Sequence, residues 1–397
     1  MKIGIDTRVL SWNMTGPWRY LRNLLDHIGE IDHRNEYFLF VNKDQADSIT
    51  VPSNFRKTIL RSFFDGSRLL TKLNSGVSSK VLESYLKGQA LDPILGNLLL
   101  PVLLRHDRIN VFHSPFNVLP LIKACPSVVT IHDLAFEIYP DEFSLQARLF
   151  HKTFTPIAAR TADIIIVPST CVKNNIVEFY DVSQAKIRVI YEAADKIFKP
   201  MNRKESKVKI VQKYGIEDDF ILFIGFARLR RNVSQLLEAF SMLKKQHDLR
   251  HKLVIVGRYD PVNTNYPKLI RELHMENEVI HFARVADEDM PLLYNAAEIF
   301  VYPSSYEGFG LPLVEAMACG TPIVASNAPP MPEIVGNAGL FVNPFDINQM
   351  AQTIHLVLTD EHLRLGLRDK SLERAHSFSW KKTAEKTLEG YREAQRS

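Results

Sequence analysis

Cysteine is scarce in this 397-residue sequence, and no apolar run is long enough to cross a lipid bilayer. The three cysteines, Cys125, Cys171 and Cys319, lie far apart and lack the spacing of a metal site, so they indicate a reducing compartment. Residues 1–6 have the pattern of a β-strand rather than that of a signal peptide. Together these features predict a cytoplasmic protein that does not span a membrane.

A large excess of charge of either sign is also missing. The chain carries 49 lysines and arginines against 45 acidic residues, which gives a formal net charge of +4. Such a mildly basic chain can attract phosphates, but it does not require nucleic acid, and we expect no nucleic-acid partner. A hydrophobic content of 46% over this length is enough for two or three domains with cores of their own.

The most informative stretch runs from Glu307 to Glu315 and reads E-G-F-G-L-P-L-V-E. The apolar segment over 298–303 precedes it and predicts a buried parallel strand. Pro312 suits the first position of a helix, where its missing N–H group costs nothing, and Gly320 suits the left-handed residue just beyond a helix end. The pattern therefore predicts a strand, a glycine loop, a helix and a second strand.

This loop brings free backbone N–H groups and the positive end of a helix dipole to one place, which favours an anion such as phosphate. Gly308 and Gly310 would let a ligand approach the backbone closely. Glu307 and Glu315 could accept hydrogen bonds from sugar hydroxyls, so the residue types indicate a sugar nucleoside diphosphate. The alternative is a solvated helix start with one acid before it and one in its first turn, because a single G-x-G is a weak signal.

The stretch from Pro303 to Ala325 resembles the donor-site signature of the retaining glycosyltransferases of family 4, usually written E-G-F-G-L-P-x-x-E-A-x-A-x-G-x-P-V. The segment T-I-H-D-L-A-F over 130–136 is similar to the active-site histidine segment of that family, especially in bacterial mannosyltransferase-like members of polysaccharide biosynthesis. The resemblance covers nearly the whole chain and is loose over 42–108. It implies an α/β protein of the GT-B fold, in which two Rossmann-like domains with parallel sheets face a central cleft.

The resemblance also implies roles for single residues. Glu307 and His132 would hold the donor sugar, and Arg230 and Arg231 would stabilise the leaving diphosphate, whose charge grows as the glycosidic bond breaks. Relatives usually have Arg-Lys where this chain has two arginines, and an arginine holds phosphate in a forked geometry. These four are the expected catalytic residues. The expected substrate-binding residues are Gly16, Trp18, Ser169, Arg284, Val285, Gly308, Phe309, Gly310, Leu311 and Glu315.

Several of these assignments have an alternative. Trp18 replaces the glycine that is usual in the G-I-G-R-Y segment of the family, so it stacks on the acceptor or packs in the core. Arg230 and Arg231 bind diphosphate or are ordinary surface charge. A lone histidine at a strand end, such as His132, is often a structural residue.

Two strand–helix alternations of similar size follow each other, and the chain changes character over residues 191–207. We expect an acceptor-side domain over 1–194 and a nucleotide-sugar-binding domain over 195–377. The resemblance implies that a final helix, over about 378–397, packs back onto the first domain.

Residues 56–108 combine basic and apolar side chains. A basic amphipathic stretch can lie on an anionic membrane surface, which would make the protein peripheral on the cytoplasmic face of the membrane. The alternative is a pair of helices that cover the first sheet and keep their charges in water.

The expected function is retaining, metal-independent transfer of a hexose from a nucleotide diphosphate sugar to a saccharide or lipid-linked saccharide, without a cofactor, in polysaccharide or lipopolysaccharide biosynthesis. GDP-mannose is the favoured donor, and a UDP-sugar (UDP-glucose or UDP-N-acetylglucosamine) is the alternative. A literal D-x-D over 287–289 matches the metal signature of another glycosyltransferase architecture, but we expect Asp287 to cap a helix. An epimerase or hydrolase, or an inactive sugar-nucleotide-binding subunit, is less favoured.

Overall fold

The computed structural model describes residues 1–11, 16–42, 54–60, 100–258 and 266–397. Two parallel β-sheets organise these residues, one in each half of the chain. Their strands are short runs of β-branched and aromatic residues that are buried along their length, as in Ile164–Val167 and Phe220–Ile224.

The first sheet has the strand order β3-β2-β1-β4-β5-β6-β7, with every pair parallel. Its strands are β1 (Lys2–Asp6), β2 (Glu36–Asn42), β3 (Phe55–Leu60), β4 (Val111–Ser114), β5 (Ser127–Thr130), β6 (Ile164–Val167) and β7 (Ile187–Val189).

The second sheet repeats this arrangement with the order β10-β9-β8-β11-β12-β13. Its strands are β8 (Phe220–Ile224), β9 (Lys252–Val256), β10 (Val279–Phe282), β11 (Ile299–Tyr302), β12 (Ile323–Ser326) and β13 (Gly339–Val342). In both sheets the order reverses beside the first strand, and ligands bind at such switch points, beyond the carboxyl ends of the strands. The predicted pair of Rossmann-like parallel sheets is confirmed.

Helices connect the strands. We number those with described bounds α1 (Gly16–Ile31), α2 (Ala135–Ile138), α3 (Leu145–Thr161), α4 (Thr170–Tyr180), α5 (Arg203–Tyr214), α6 (Val233–Gln246), α7 (Tyr266–Glu272), α8 (Met290–Ala296), α9 (Leu311–Cys319), α10 (Met331–Val335), α11 (Ile347–Thr359), α12 (Glu361–Ala375) and α13 (Trp380–Arg396).

The last helix, α13, returns to the first half and packs against α1 and strands β4, β5 and β6. The hydroxyl of Tyr391 on α13 lies 2.7 Å from Nδ1 of His113 on β4, and Nε2 of His113 lies 2.8 Å from Oγ1 of Thr130. Tyr20 of α1 joins the same buried network at Thr130. The chain passes between the two sheets over residues 190–202, before α5 begins.

The basic stretch over 56–108 needs a correction where the structure describes it. Residues 55–60 are an edge strand parallel to β2, and Arg56 and Lys57 on it are exposed. A helix over 100–106 buries Leu100 and Leu104 in the core of the first half. Residues 61–99 lie outside the described residues, so membrane contact stays a prediction. Among the helices described, none combines the length and apolar character that a membrane span needs.

Candidate active site

Four loops at the carboxyl ends of strands meet between the two sheets. The loops after β4 and β5 come from the first half, and those after β8 and β11 from the second half. They bring together His132, Arg230, Arg231 and Glu307, the four predicted catalytic residues. Three of these strands, β4, β8 and β11, flank the two switch points, and β5 lies next to β4, so the topology places all four loops near the switch points.

Glu307 is buried, with 7% of its surface exposed. Its Oε1 atom accepts hydrogen bonds from the Ser304 hydroxyl at 2.7 Å and the Tyr302 hydroxyl at 3.1 Å. Nη1 of Arg231 lies 2.7 Å from the same oxygen. The carboxylate is therefore fixed in position by neighbours from its own half of the molecule.

Arg231 is half-buried and lies over the ring of Tyr302, with Cζ 5.2 Å from the ring centroid. Burial lowers the pKa of its guanidinium, and the nearby Glu307 carboxylate opposes that shift. The 2.7 Å contact with Glu307 is an ion pair without hydrogen-bond alignment, because Nε and Nη1 of Arg231 find no aligned acceptor among the described residues. Buried guanidinium donors of this kind suit an anionic ligand.

Arg230 pairs with Glu142, a residue of the first half. Its backbone N–H group donates to Oε1 of Glu142 at 2.7 Å, and its Nη1 atom contacts Oε2. Burial lowers the pKa of Arg230, but Glu307, Asp133 and Glu142 outweigh it and raise the pKa overall. Nε of Arg230 is a further buried donor without an acceptor in the described part of the chain.

His132 lies just beyond β5, and both of its ring nitrogens face acceptors. Nε2 is 2.9 Å from the carbonyl oxygen of Pro115, and Nδ1 is 3.2 Å from Oε1 of Glu192. Tyr20 packs edge-on against the ring, with centroids 4.8 Å apart. Both contacts are hydrogen bonds only when both nitrogens carry a proton. Asp133, beside it, accepts from the N–H group of Ala135 and so holds the turn into α2.

Gly308 touches the first half directly. A Cβ atom at this position would lie 1.9 Å from the carbonyl oxygen of His132. Ser169, the N-cap of α4, donates a 2.6 Å hydrogen bond to the carbonyl oxygen of Gly308. We expected this glycine to admit a ligand, whereas the described geometry requires it for contact between the two halves.

Gly310 and Leu311 form the start of α9. Gly310 is the N-cap in the left-handed region, with φ +95°, and Leu311 is the first helical residue, followed by Pro312. The positive end of this helix follows the loop that carries Glu307, and anion binding there stays a prediction. The ring centroid of Phe309 lies 6.1 Å from that of Tyr191 and 5.8 Å from that of Phe378, so its side chain is packed among aromatic residues.

Glu315 lies one turn into α9 and is only 3% exposed. Arg19 of α1 reaches it across the cleft, with Nη1 2.6 Å from Oε1, and the Tyr294 hydroxyl donates to Oε2 at 2.9 Å. The second Arg19 nitrogen, Nη2, donates to Asp287 at 3.1 Å. The expected helix cap at Asp287 is wrong, because Asp287 begins a 3-10 helix whose N-cap residue is Ala286.

The remaining predicted residues lie around the rim. Gly16 begins α1 and is exposed, and Trp18 is half-buried, with Cζ of Arg22 5.8 Å from its ring centroid. Arg284 is exposed and Val285 is buried, both beyond the end of β10. Their expected contacts with acceptor and nucleobase stay predictions.

Three residues at the site were not among the predicted ones: Arg19, Glu142 and Glu192. Arg19 belongs to the G-x-x-R-Y segment of this chain, so the family pattern was a signal for it. Glu142 and Glu192 follow strands of the first sheet, but single acids in loops carry no recognisable pattern. Their roles depend on contacts with residues 60 to 88 positions away in the chain.

Two protein-family models match the chain. Glycosyltransferase Family 4 matches residues 77–196, and Glycosyl transferases group 1 matches residues 206–374. The first match ends within the segment that joins the two sheets, and the second begins in α5.

The chain is similar to known proteins along its whole length. It is 28% identical to O-antigen chain mannosyltransferase B of Escherichia coli over 393 residues, which are 99% of this chain and 100% of that protein. It is 29% identical to the serotype-specific mannosyltransferase WbdA of Escherichia coli over 58% of this chain, but that match spans only 29% of WbdA. The solved sucrose-phosphate synthase of Thermosynechococcus elongatus superposes with a TM-score of 0.73 at 21% identity, over 99% of this chain and 98% of that one, which shows a shared fold.

Proposed function

The chain belongs to the family 4 glycosyltransferases of the GT-B fold, and on that basis we propose that it transfers a mannosyl residue from GDP-mannose to a hydroxyl of a saccharide or lipid-linked saccharide. One observation carries the proposal. Arg230 and Arg231 keep buried guanidinium N–H groups that make no hydrogen bond within the described residues, and Arg231 lies beside the fixed carboxylate of Glu307. The site therefore joins cations suited to diphosphate with an acceptor suited to sugar hydroxyls.

In the proposed reaction the bond between the anomeric carbon and the phosphate oxygen breaks, and its electron pair stays on the diphosphate. The two guanidinium groups stabilise that growing charge better in the transition state than in the ground state, which lowers the barrier. The buried setting strengthens this effect, because little water competes with the ion pairs. The N-terminus of α9 adds a partial positive charge on the same side.

The acceptor oxygen attacks the anomeric carbon on the face from which the diphosphate leaves, so the configuration at that carbon is retained. The acceptor hydroxyl gives its proton to an oxygen of the departing phosphate. Glu307 and His132 hold the sugar in this proposal, and Glu192 and the Pro115 carbonyl fix the ring of His132.

Metal independence is part of the proposal. The two aspartates of the D-x-D segment already pair with cations, which disfavours them as metal ligands: Asp287 pairs with Arg19, and Asp289 pairs with Lys213 at 2.5 Å. Arg230 and Arg231 supply the positive charge that a divalent cation would otherwise bring.

Mannose as the transferred sugar rests on the names of the relatives, two of which are mannosyltransferases of Escherichia coli. The nucleobase has weaker support. We infer guanine because the histidine segment over 130–136 is similar to that of mannosyltransferase-like members of the family.

A direct test combines binding with turnover. GDP-mannose, UDP-glucose and UDP-N-acetylglucosamine are compared by thermal shift, because a ligand bound only by the native state raises its stability. The donor that binds is then incubated with a mannan oligosaccharide, with and without EDTA, and the anomeric configuration of the product is read by NMR. We expect GDP-mannose to give the largest shift, an α-linked product and no loss of rate in EDTA.

The Glu307→Gln variant tests the site, and Glu385→Gln on the exposed face of α13 is its control. We expect the first to lose about 100-fold or more in kcat, the scale of one lost transition-state contact, and the second to keep wild-type rates. A folded Glu307→Gln protein with unchanged turnover would contradict the donor-site assignment. A larger thermal shift with a UDP-sugar would contradict only the choice of GDP-mannose as donor, not the proposed glycosyl transfer.

A further inference from the structure

Arg19 joins the two halves of the molecule at the second glutamate of the family signature. It lies on α1 in the first half, and its guanidinium spans two carboxylates of the second half. Nη1 lies 2.6 Å from Oε1 of Glu315, and Nη2 lies 3.1 Å from Oδ1 of Asp287. The Glu315 contact joins residues 296 positions apart in the chain, so it exists only when the halves meet.

Arg19 opposes the effect of burial on Glu315. Burial raises the pKa of its carboxyl group, and the pKa stays raised overall although Arg19 and the Tyr294 hydroxyl oppose that shift. Asp287, a like charge, adds to the rise, and Cys319 lies further along α9 with its own pKa raised by burial. Arg19 is therefore the one cation that faces Glu315 among the groups acting on it in the described structure.

We propose that Arg19 is a positioning residue for donor recognition, which holds Glu315 as an oriented carboxylate for the ribose hydroxyls of the nucleotide and does so only when the cleft closes. The inference rests on the proposed function and goes beyond it, because it makes recognition of the ribose depend on a residue of the opposite half.

The hydrogen bonds of Glu315 leave acceptor sites for this role. An ionised carboxylate has about four lone-pair sites, and Arg19 and Tyr294 use one site on each oxygen of Glu315. Hydroxyl donors can therefore bind to the remaining lone pairs while Arg19 stays in place. Because Glu315 is 3% exposed with the halves together, the nucleotide enters before Arg19 arrives, and closure then completes the ribose contact.

Arg22 provides a matched control on the same helix. It forms an exposed i,i+4 pair with Asp26, with Nε 3.7 Å from Oδ2, and both partners belong to α1. An exposed pair of this kind contributes little, whereas an arginine removed from beside a buried carboxylate leaves that charge uncompensated. A methionine at either position keeps a long flexible side chain without the charge.

The test is a calorimetric binding experiment on the full chain with GDP and UDP, and with their 2′,3′-dideoxy forms, which lack the ribose hydroxyls. For the nucleotide that the wild type binds, we expect Arg19→Met to weaken binding about tenfold or more, as for hydrogen bonds to a charged acceptor. We expect Arg19→Met to bind the dideoxy form within about twofold of wild type, and Arg22→Met to match wild type for both forms. Arg19→Lys keeps the charge and should give an intermediate loss.

The outcomes separate this inference from the proposed function. If the wild type binds neither nucleotide, the proposed function fails and the role of Arg19 fails with it. If the wild type binds but Arg19→Met weakens both forms equally, Arg19 serves structure alone and only this inference is overturned. Unchanged binding in a folded Arg19→Met protein overturns it as well, and Arg19→Lys provides the same comparison if the methionine variant does not fold.

Discussion

Gly308 allows the sharpest test of whether catalysis requires the contact between the two halves that the structure shows. The perturbation is Gly308→Ala, which adds one methyl group to the loop of the signature. The φ angle of Gly308 lies outside the left-handed region, so alanine fits the backbone there without strain. Any effect must then come from the space that the methyl group occupies.

The magnitude follows from the distances. The new Cβ atom would lie 1.9 Å from the carbonyl oxygen of His132 and 2.9 Å from its carbonyl carbon, although Cβ atoms essentially never come within 3.0 Å of a heavy atom beyond their own residue and its chain neighbours. Both neighbours are backbone atoms, so no flexible side chain can move aside. The two halves must separate by about 1 Å, and a displacement of that size can cost about 100-fold in rate, or about 2.7 kcal/mol.

The assay is steady-state transfer at saturating acceptor, together with thermal unfolding. We expect kcat to fall about 100-fold, because the acceptor side is displaced from Arg231 and Glu307, which both belong to the second half. We expect the KM for the donor to rise by up to about tenfold, because Arg19 of the first half moves away from Glu315. Gly366→Ala is the control, since a Cβ atom at Gly366 on α12 meets nothing within 4 Å. That variant should keep full activity and gain about 0.5–1 kcal/mol of stability from its helical position.

The reasoning would be refuted by a Gly308→Ala protein that turns over within about threefold of wild type, since the cost of a 1 Å displacement is far larger. Such a result would mean that the halves react at a separation that leaves room for the methyl group. A large loss of thermal stability in this variant would also count against the argument, because the clash lies between the halves and not within either core.

Two further predictions follow from buried groups. Glu142→Gln removes the charge that pairs with Arg230, so we expect tighter binding of inorganic pyrophosphate in a competition assay but slower transfer, because the cross-cleft contact is weakened. Burial lowers the pKa of His113 to about 3. The unfolded chain therefore binds the extra proton near pH 6.5 and the folded chain does not, so stability falls as the pH falls from 6.5 toward 3, by up to about 1.4 kcal/mol per unit. We expect the His113→Gln variant to be less stable than wild type in chemical unfolding at pH 7, but to lose less stability between pH 7 and pH 5. A loss between these two pH values equal to that of wild type would contradict the assignment.

The sequence was sufficient for those elements whose pattern is local. Strands such as Ile164–Val167 are continuous apolar runs. The helix α9, which follows β11, has a glycine at each end, Gly310 at the N-cap and Gly320 at the C-cap. The edge strand Phe55–Leu60 was misread as part of an amphipathic stretch. Its two adjacent basic residues, Arg56 and Lys57, are both exposed, and exposed charges on an edge strand resemble those of a surface segment.

In the site, too, the features with a local sequence pattern could be predicted and the contacts between distant residues could not. The loops that carry His132, Arg230 and Glu307 could be found from motifs that lie within a few residues of each other. The partner of Arg230 could not, because Glu142 is 88 positions away and reaches it only after two independent sheets have met. The reason that a glycine is needed at position 308 could not be predicted either, because its missing side chain makes room for a carbonyl group of the opposite half.

The charge balance of the cleft favours the proposed sugar nucleotide over a ligand made of phosphate alone. Each arginine is already paired with a carboxylate: Arg19 with Glu315, Arg230 with Glu142, and Arg231 with Glu307. A ligand made only of phosphate would compete with these carboxylates for the cations and gain little over the existing pairs. A sugar nucleotide brings phosphate oxygens to the guanidinium groups and hydroxyl donors to the carboxylates at the same time, so both partners of a pair gain a contact. Two of the three pairs also join the halves, so ligand contacts added to these pairs can couple donor binding to the position of the acceptor side.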